Sequence, residues 1–192
     1  MNWLHRLKSK FFKNNTSSIG PRMRSGFKHN GQFLPHVRIS ESTVISFPVN
    51  LNLADNLFIG HYNFIEASHG ISIEEGVQIT NYCSILTHSS HVSIRLYGKS
   101  YLGKKDPIGY KKGPVSIGCY TFVGPHVTIM PNTTIGKGSL VAAYSLLKGE
   151  YPDFSIIAGN PAQVVGDTRE MDKKYLDEYP DLKANYRQWA GL

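Results

Sequence analysis

From Ile117 onward an aliphatic residue returns at every sixth position: Ile117, Val123, Ile129, Ile135, Val141 and Leu147. Glycine follows three of the six, at Gly118, Gly124 and Gly136. The fifth place of each of the first five hexads is small or β-branched: Thr121, Val127, Thr133, Ser139 and Ser145. The same step runs through Ile73, Ile79 and Ile85, through Leu53, Ile59 and Ile65, and less cleanly through Ile39, Ile45 and Leu51. A period of six fits neither an amphipathic helix nor a strand with one buried face. It predicts an all-β solenoid with three flat faces, in which each hexad is a short strand and a turn and three hexads close a coil. The aliphatic residue points inward and the small fifth residue fits the narrow interior. Coils then stack by parallel pairing roughly 4.8 Å apart, each burying its apolar row only against its neighbours.

The interruptions are as informative as the period. Ile65 and Ile73 stand eight apart, a two-residue insertion, and Ile85 and Ile117 stand thirty-two apart. The second gap predicts an arm, residues 88–114, that leaves the solenoid and returns. A long excursion from a compact domain is commonly functional. This one mixes Arg95, Lys99, Lys104, Lys105, Lys111 and Lys112 with Tyr97, Tyr101 and Tyr110, and it bends at Gly98, Gly103, Gly109 and Gly113. That composition predicts an ordered arm. At its root, SILTHSSHVSI places His88 and His91 three apart. As metal ligands they lack a third partner nearby; a solvated turn and the base of an enzyme are the other two readings the stretch allows.

The ends lack the hexad. MNWLHRLKSKFFKNN predicts a short basic helix with Trp3, Leu4, Leu7 and Phe11 on one side, fit to cover the solenoid's open end or to lie on an anionic membrane surface. After Gly166 acids and bases alternate, predicting one or two short helices broken at Pro180, with Tyr175, Leu176, Tyr179, Leu182, Tyr186 and Trp189 on the apolar side. The expected organisation is therefore 1–36 (basic helix and lead-in), 37–166 (solenoid) and 167–192 (helical extension).

Composition narrows the function. The low charge (18%) and the 18 glycines suit many tight turns rather than long solvated helices. No apolar run is long enough to span a bilayer, and the N-terminus lacks the apolar core of a secretory signal. The spacing of Cys83 and Cys119 suggests neither a disulfide framework nor a zinc site, so a cytoplasmic setting is expected. The net charge of +7 and pI near 9.4 favour an anionic partner, but no aromatic-basic nucleic-acid reader is present.

The hexads, together with SIIAGNPAQVVG at 155–166, resemble the hexapeptide-repeat acyltransferases, in particular the maltose, galactoside and polysaccharide O-acetyltransferases, over roughly residues 37 to 166. The resemblance implies a left-handed parallel β-helix and a homotrimer with active sites between subunits. It also implies acetyl-CoA as co-substrate, no required metal, and transfer of an acetyl group to a hydroxyl of a sugar or cell-surface glycan intermediate. Such an enzyme is expected in the cytoplasm, with peripheral membrane contact available through the N-terminal helix. The family's base lies within one residue of His91 and two of His88; His91 is favoured, with His88 second. Glu66 stands where the sugar acetyltransferases carry asparagine, and a carboxylate there can orient the imidazole. Asn63, Arg95 and Tyr97 are expected on the acceptor side, with His61 and His69 flanking the Glu66 coil. For the coenzyme the resemblance points to Gly124, Ala142 and Ala143 along the pantetheine, Lys148 and Lys137 at the phosphates, and Asn160 and Pro161 in the turn near the adenine. Gln163 replaces the arginine usual after that turn. His126 is expected to be exposed on a coil face and Cys83 to be packed inside. Two other readings remain: a sugar-amine N-acetyltransferase, and a noncatalytic or zinc-binding trimer using His88, His91 and His126.

Overall fold

The computed structural model describes residues 20–192, so the basic helix expected over Trp3, Leu4, Leu7 and Phe11 lies outside the described residues. From Arg38 the chain winds a left-handed parallel solenoid of about six turns. Each turn contributes one strand to each of three faces. On the first face Ile39, Ile59, Ile79, Val123, Val141 and Ile157 stack in register. Ile45, Ile65, Ile85, Ile129 and Leu147 stack on the second, and Leu53, Ile73, Ile117, Ile135 and Tyr151 on the third. Nearly all of these side chains are fully buried and form one continuous core. The expected fold is thus observed, hexad by hexad. The exception is Leu51: Leu53, not Leu51, aligns with Ile73, while Leu51 pairs with Ile71 as a second inward residue.

The pairing also explains the uneven period. Ile39, Ile59 and Ile79 pair at steps of twenty residues, whereas Val123 and Val141 pair at eighteen. The additional residues lie at one corner, between the second and third faces. There the first described coil turns through Pro48–Asn50, the next through 67–70, and the third sends out the arm after Thr87. Elongated corners therefore stack on one edge of the prism.

Glycine follows the inward aliphatic residue because adjacent coils touch there. A Cβ on Gly118 would lie 2.5 Å from the Lys137 backbone nitrogen, and one on Gly124 would lie 2.8 Å from that of Ala143. Backbone cannot yield as a side-chain tip can. Gly118→Ala is expected to lower stability by roughly 1–3 kcal/mol, the usual cost of overpacking. A denaturant midpoint equal to wild type would show that the coils separate freely there.

Both ends are closed. A hairpin of Met23–His29 and Gln32–Ser40 leads into the first coil, giving strand where a simple lead-in was expected. At the other end Ser155–Gly159 turns back through Asn160 and Pro161 into the antiparallel strand Ala162–Asp167. The helices α2 (Thr168–Glu178) and α3 (Lys183–Ala190) follow, numbered after the arm helix α1 (Ser93–Tyr97). Asp167 caps α2 by accepting from Arg169 N. Trp189 seals the solenoid's end against Tyr120 and Phe154, with ring centres 4.7 and 5.9 Å away. The apolar side predicted for this extension is only partly covered, since Tyr175, Tyr179 and Leu182 stay more than half exposed.

Candidate active site

The site forms on the elongated corner. Glu66 ends the strand Phe64–Glu66 and pairs with Leu86 of the coil below, so the chain leaving Leu86 passes directly under its carboxylate. The side chain is buried, yet its charge is well served. Oε2 accepts from the Thr87 hydroxyl at 2.7 Å, the Thr87 backbone N–H at 3.2 Å and His88 Nδ1 at 2.8 Å. Oε1 accepts from Ser68 N at 3.0 Å. Burial alone would raise the Glu66 carboxyl, but hydrogen bonds from Ser68 and Thr87 outweigh it and hold it down at about 2. Glu66 is therefore an anion at neutral pH.

That anion fixes the imidazole. Nδ1 of His88 faces the carboxylate and so carries the proton, which leaves the lone pair on Nε2. Tyr110, returning from the arm, stacks on the His88 ring at 5.6 Å and 17°. Burial raises the Tyr110 hydroxyl above its ordinary range, so the ring stays a neutral phenol. Ser68 Oγ lies 3.2 Å from His88 Nδ1 and 2.8 Å from His69 Nδ1. Because Ser68 and Glu66 meet the same nitrogen of His88, the three do not form a serine–histidine–carboxylate relay, which needs opposite nitrogens. Chemically the arrangement can act as an oriented base towards a proton held by an incoming molecule.

The arm is ordered, as its composition suggested. Its root is a short antiparallel pair, His88–Ser89 against Lys111–Lys112. Within it, Tyr97 Oη accepts from Ile108 N at 3.1 Å and Ser93 Oγ donates to Ile108 O at 3.0 Å.

The structure brings together Glu66 and His88 but not His91. His91 is exposed on the arm, with Nδ1 2.8 Å from Ser89 Oγ and no carboxylate partner among the described residues. Asn63 requires correction: it is 2% exposed, donating to Thr80 O at 2.8 Å and accepting from Cys83 N at 2.7 Å. It ties coils together and cannot meet an acceptor. Its place was readable, since it fills the inward fifth position of its hexad. Arg95 is exposed on α1, and Tyr97 serves to fold the arm. His61 is engaged with Ser40 Oγ at 2.7 Å, whereas His69 does border the site. Thr87, Ser68 and Tyr110 were not anticipated; the twenty-residue coil step, which sets 67–70 above 87–90, is the signal that finds Ser68 and Thr87.

Gly124, Ala142 and Ala143 lie on a different corner, between the first and second faces. There Tyr62, Tyr82, His126 and Tyr144, each fourth in its hexad, adopt the left-handed conformation with φ of 57–61°. Their rings form a ladder at 5.2, 4.9 and 4.7 Å, interplanar angles 13°, 4° and 4°. His126 is exposed as expected, but it is stacked between tyrosines and set apart from the His88 corner. Lys148 is exposed, while Lys137 donates to Ala190 O at 2.7 Å and holds α3. Asn160 and Pro161 are exposed at the end of the stack, and Cys83 is packed inside as expected. Among the described residues no cluster of three or more histidine, cysteine or acidic groups is arranged to hold a metal, and no helix is long and apolar enough to cross a membrane.

Residues 114–149 match the model of the bacterial transferase hexapeptide, six repeats. Over that stretch the chain is similar to the hexapeptide-repeat transferases. Among its relatives is a probable acetyltransferase of Mycobacterium tuberculosis, 30% identical over 125 residues, which are 65% of this chain and 40% of that protein. The galactoside O-acetyltransferase of Escherichia coli is 28% identical over 71% of this chain and 66% of its own length. Among solved structures, a maltose O-acetyltransferase from Clostridium difficile shares the fold with a TM-score of 0.57, at 22% identity over 66% of this chain and 64% of that one. The match to the mycobacterial relative thus covers less than half of that protein.

Proposed function

We propose that this hexapeptide-repeat protein transfers an acetyl group from acetyl-CoA to a hydroxyl of a sugar or glycan, with His88 as general base and Glu66 as the residue that orients it. The observation that carries the reading is the 2.8 Å contact between His88 Nδ1 and a buried, ionised Glu66 at the root of the arm. Nε2 of His88 takes the proton of the acceptor hydroxyl as its oxygen attacks the thioester carbonyl. The tetrahedral intermediate collapses, the carbon–sulfur bond breaks, and the thiol leaves with a proton returned from the imidazolium. Glu66 stabilises that imidazolium while it exists and keeps the ring in the productive tautomer. His91 is exposed and meets only the Ser89 hydroxyl, with no carboxylate partner among the described residues, and we assign it no part in the chemistry.

The coenzyme is proposed to run along the corner of Gly124, Ala142 and Ala143 towards Asn160 and Pro161, with Lys148 near its phosphates. Glycine and alanine there let the main chain approach extended pantetheine. A homotrimer would supply the second wall of that groove. The names of the relatives support acetyl transfer, and the galactoside enzyme supports a sugar acceptor. Incubation with acetyl-CoA and a panel of sugars, sugar phosphates and sugar nucleotides tests the reading. Acceptor-dependent thiol release is expected for at least one class, and its absence across the panel would remove the proposal.

A further inference from the structure

The arm beside His88 carries most of the protein's excess positive charge. Between 88 and 114 there are six basic residues against a single acid, Asp106, so this segment supplies five of the seven net charges. One of the six is set directly against the base. Lys112 is the cross-strand partner of His88 in the arm's root, and paired residues project to the same side of a strand pair. Tyr110, two residues earlier, stacks on the His88 ring. The Lys112 side chain is half exposed, and its ammonium is held by Asp106 at 2.9 Å, a carboxylate whose own side chain is 84% exposed. An exposed pair of this kind is worth little, so either partner exchanges readily. The other negative charge nearby, Glu66, is buried and turned towards its donors. An incoming molecule therefore meets a positive mouth in which an exposed carboxylate already occupies the lysine next to the base.

We propose, on the acetyltransferase reading given above, that the acceptor is an anionic sugar bearing a phosphate or a carboxylate, and that Lys112 binds this group by exchanging Asp106 for it. Asp106 acts as a stand-in anion that holds Lys112 in place while the site is empty. The coenzyme's own phosphates are a poor match for Lys112, because the coenzyme residues proposed above lie on the other corner, in later coils.

Binding to the full chain saturated with CoA tests this, since the coenzyme's phosphate sites are then filled. The probes are matched pairs: glucose 1-phosphate against methyl glucoside, and glucuronate against glucose. For at least one pair the anionic member is expected to bind about tenfold tighter or more at low salt, with the advantage shrinking as salt screens the charge. The pair that shows the preference identifies phosphate or carboxylate. Lys112→Met is expected to abolish the preference while leaving the Kd of the neutral sugars and of CoA unchanged. Asp106→Asn is expected to tighten anionic binding by a few fold. Equal binding within both pairs, or a preference that survives Lys112→Met, would overturn the inference. So would a weakened Kd for CoA in Lys112→Met, which would assign the lysine to the coenzyme. Thiol release from acetyl-CoA is followed separately: an anionic preference without release removes the reaction and leaves the binding inference standing.

Discussion

Replacing His88 with alanine is expected to lower kcat for acetyl transfer by roughly 10²–10⁴-fold, the range over which a positioned acid–base group acts. The KM for acetyl-CoA should change little, because the coenzyme residues proposed here lie on another corner. Several observations support His88 as the proposed base. Its Nδ1 is taken by the Glu66 carboxylate, Tyr110 stacks on its ring, and the other nitrogen has no hydrogen-bond partner among the described residues. The variant should fold normally. The His88 side chain is 36% exposed, and without it Glu66 keeps the Thr87 hydroxyl, the Thr87 N–H and the Ser68 N–H. A thermal transition equal to wild type beside a collapsed kcat separates lost chemistry from lost structure. Steady-state kinetics with any accepted sugar checks the size of the effect, and a loss of less than about threefold would be too small for a general base.

The second large effect is on stability in acid. Glu66 titrates at about 2 in the folded protein against an ordinary 4.5. Its folded value is depressed, so its contribution is fully present above about pH 4.5 and is lost as the pH falls towards 2. The difference amounts to about 3 kcal/mol. Glu66→Gln cannot ionise and lacks this dependence. Denaturant unfolding of wild type and Glu66→Gln should therefore show a gap favouring wild type at pH 7 that narrows steadily between pH 4.5 and pH 2.5. A gap that is constant with pH would show that the carboxylate's hydrogen bonds contribute nothing specific to its charge. Glu66→Gln should also keep part of the activity, since the amide can still accept from Nδ1 but no longer stabilises an imidazolium.

The fold was legible because a six-residue period has few structural solutions, and each residue that leads a hexad from Ile59 to Leu147 points inward as the period requires. The arm was legible for the same reason, as the longest break in the period. The base proposed here was not. His88 and His91 are three apart in sequence and chemically alike, and what separates them is a carboxylate twenty-two residues away. Only the coil length decides that contact. A step of twenty residues sets Glu66 against Leu86, which leaves His88 two residues beyond the carboxylate and His91 five. Counted at eighteen, the step of the later coils, Glu66 would fall against Ser84 instead. Asn63 was a different kind of error. The resemblance suggested a place beside the acceptor, while the inward fifth position of its own hexad placed it in the core. The aromatic ladder lay hidden because one residue in each hexad reads as an isolated surface ring. Stacking appears only once Tyr62, Tyr82, His126 and Tyr144 are brought to the same corner in register. Tyr110 was beyond reach from sequence, because the path of the arm back to the solenoid is set by contacts such as Tyr97 with Ile108 rather than by any period.

The most direct test of the account compares two single variants in one assay. Acceptor-dependent thiol release from acetyl-CoA is measured for His88→Ala and His91→Ala beside wild type. His91→Ala is expected to stay within about threefold of wild type while His88→Ala falls by at least about a hundredfold. Loss of activity in His91→Ala with His88→Ala still active would contradict the account.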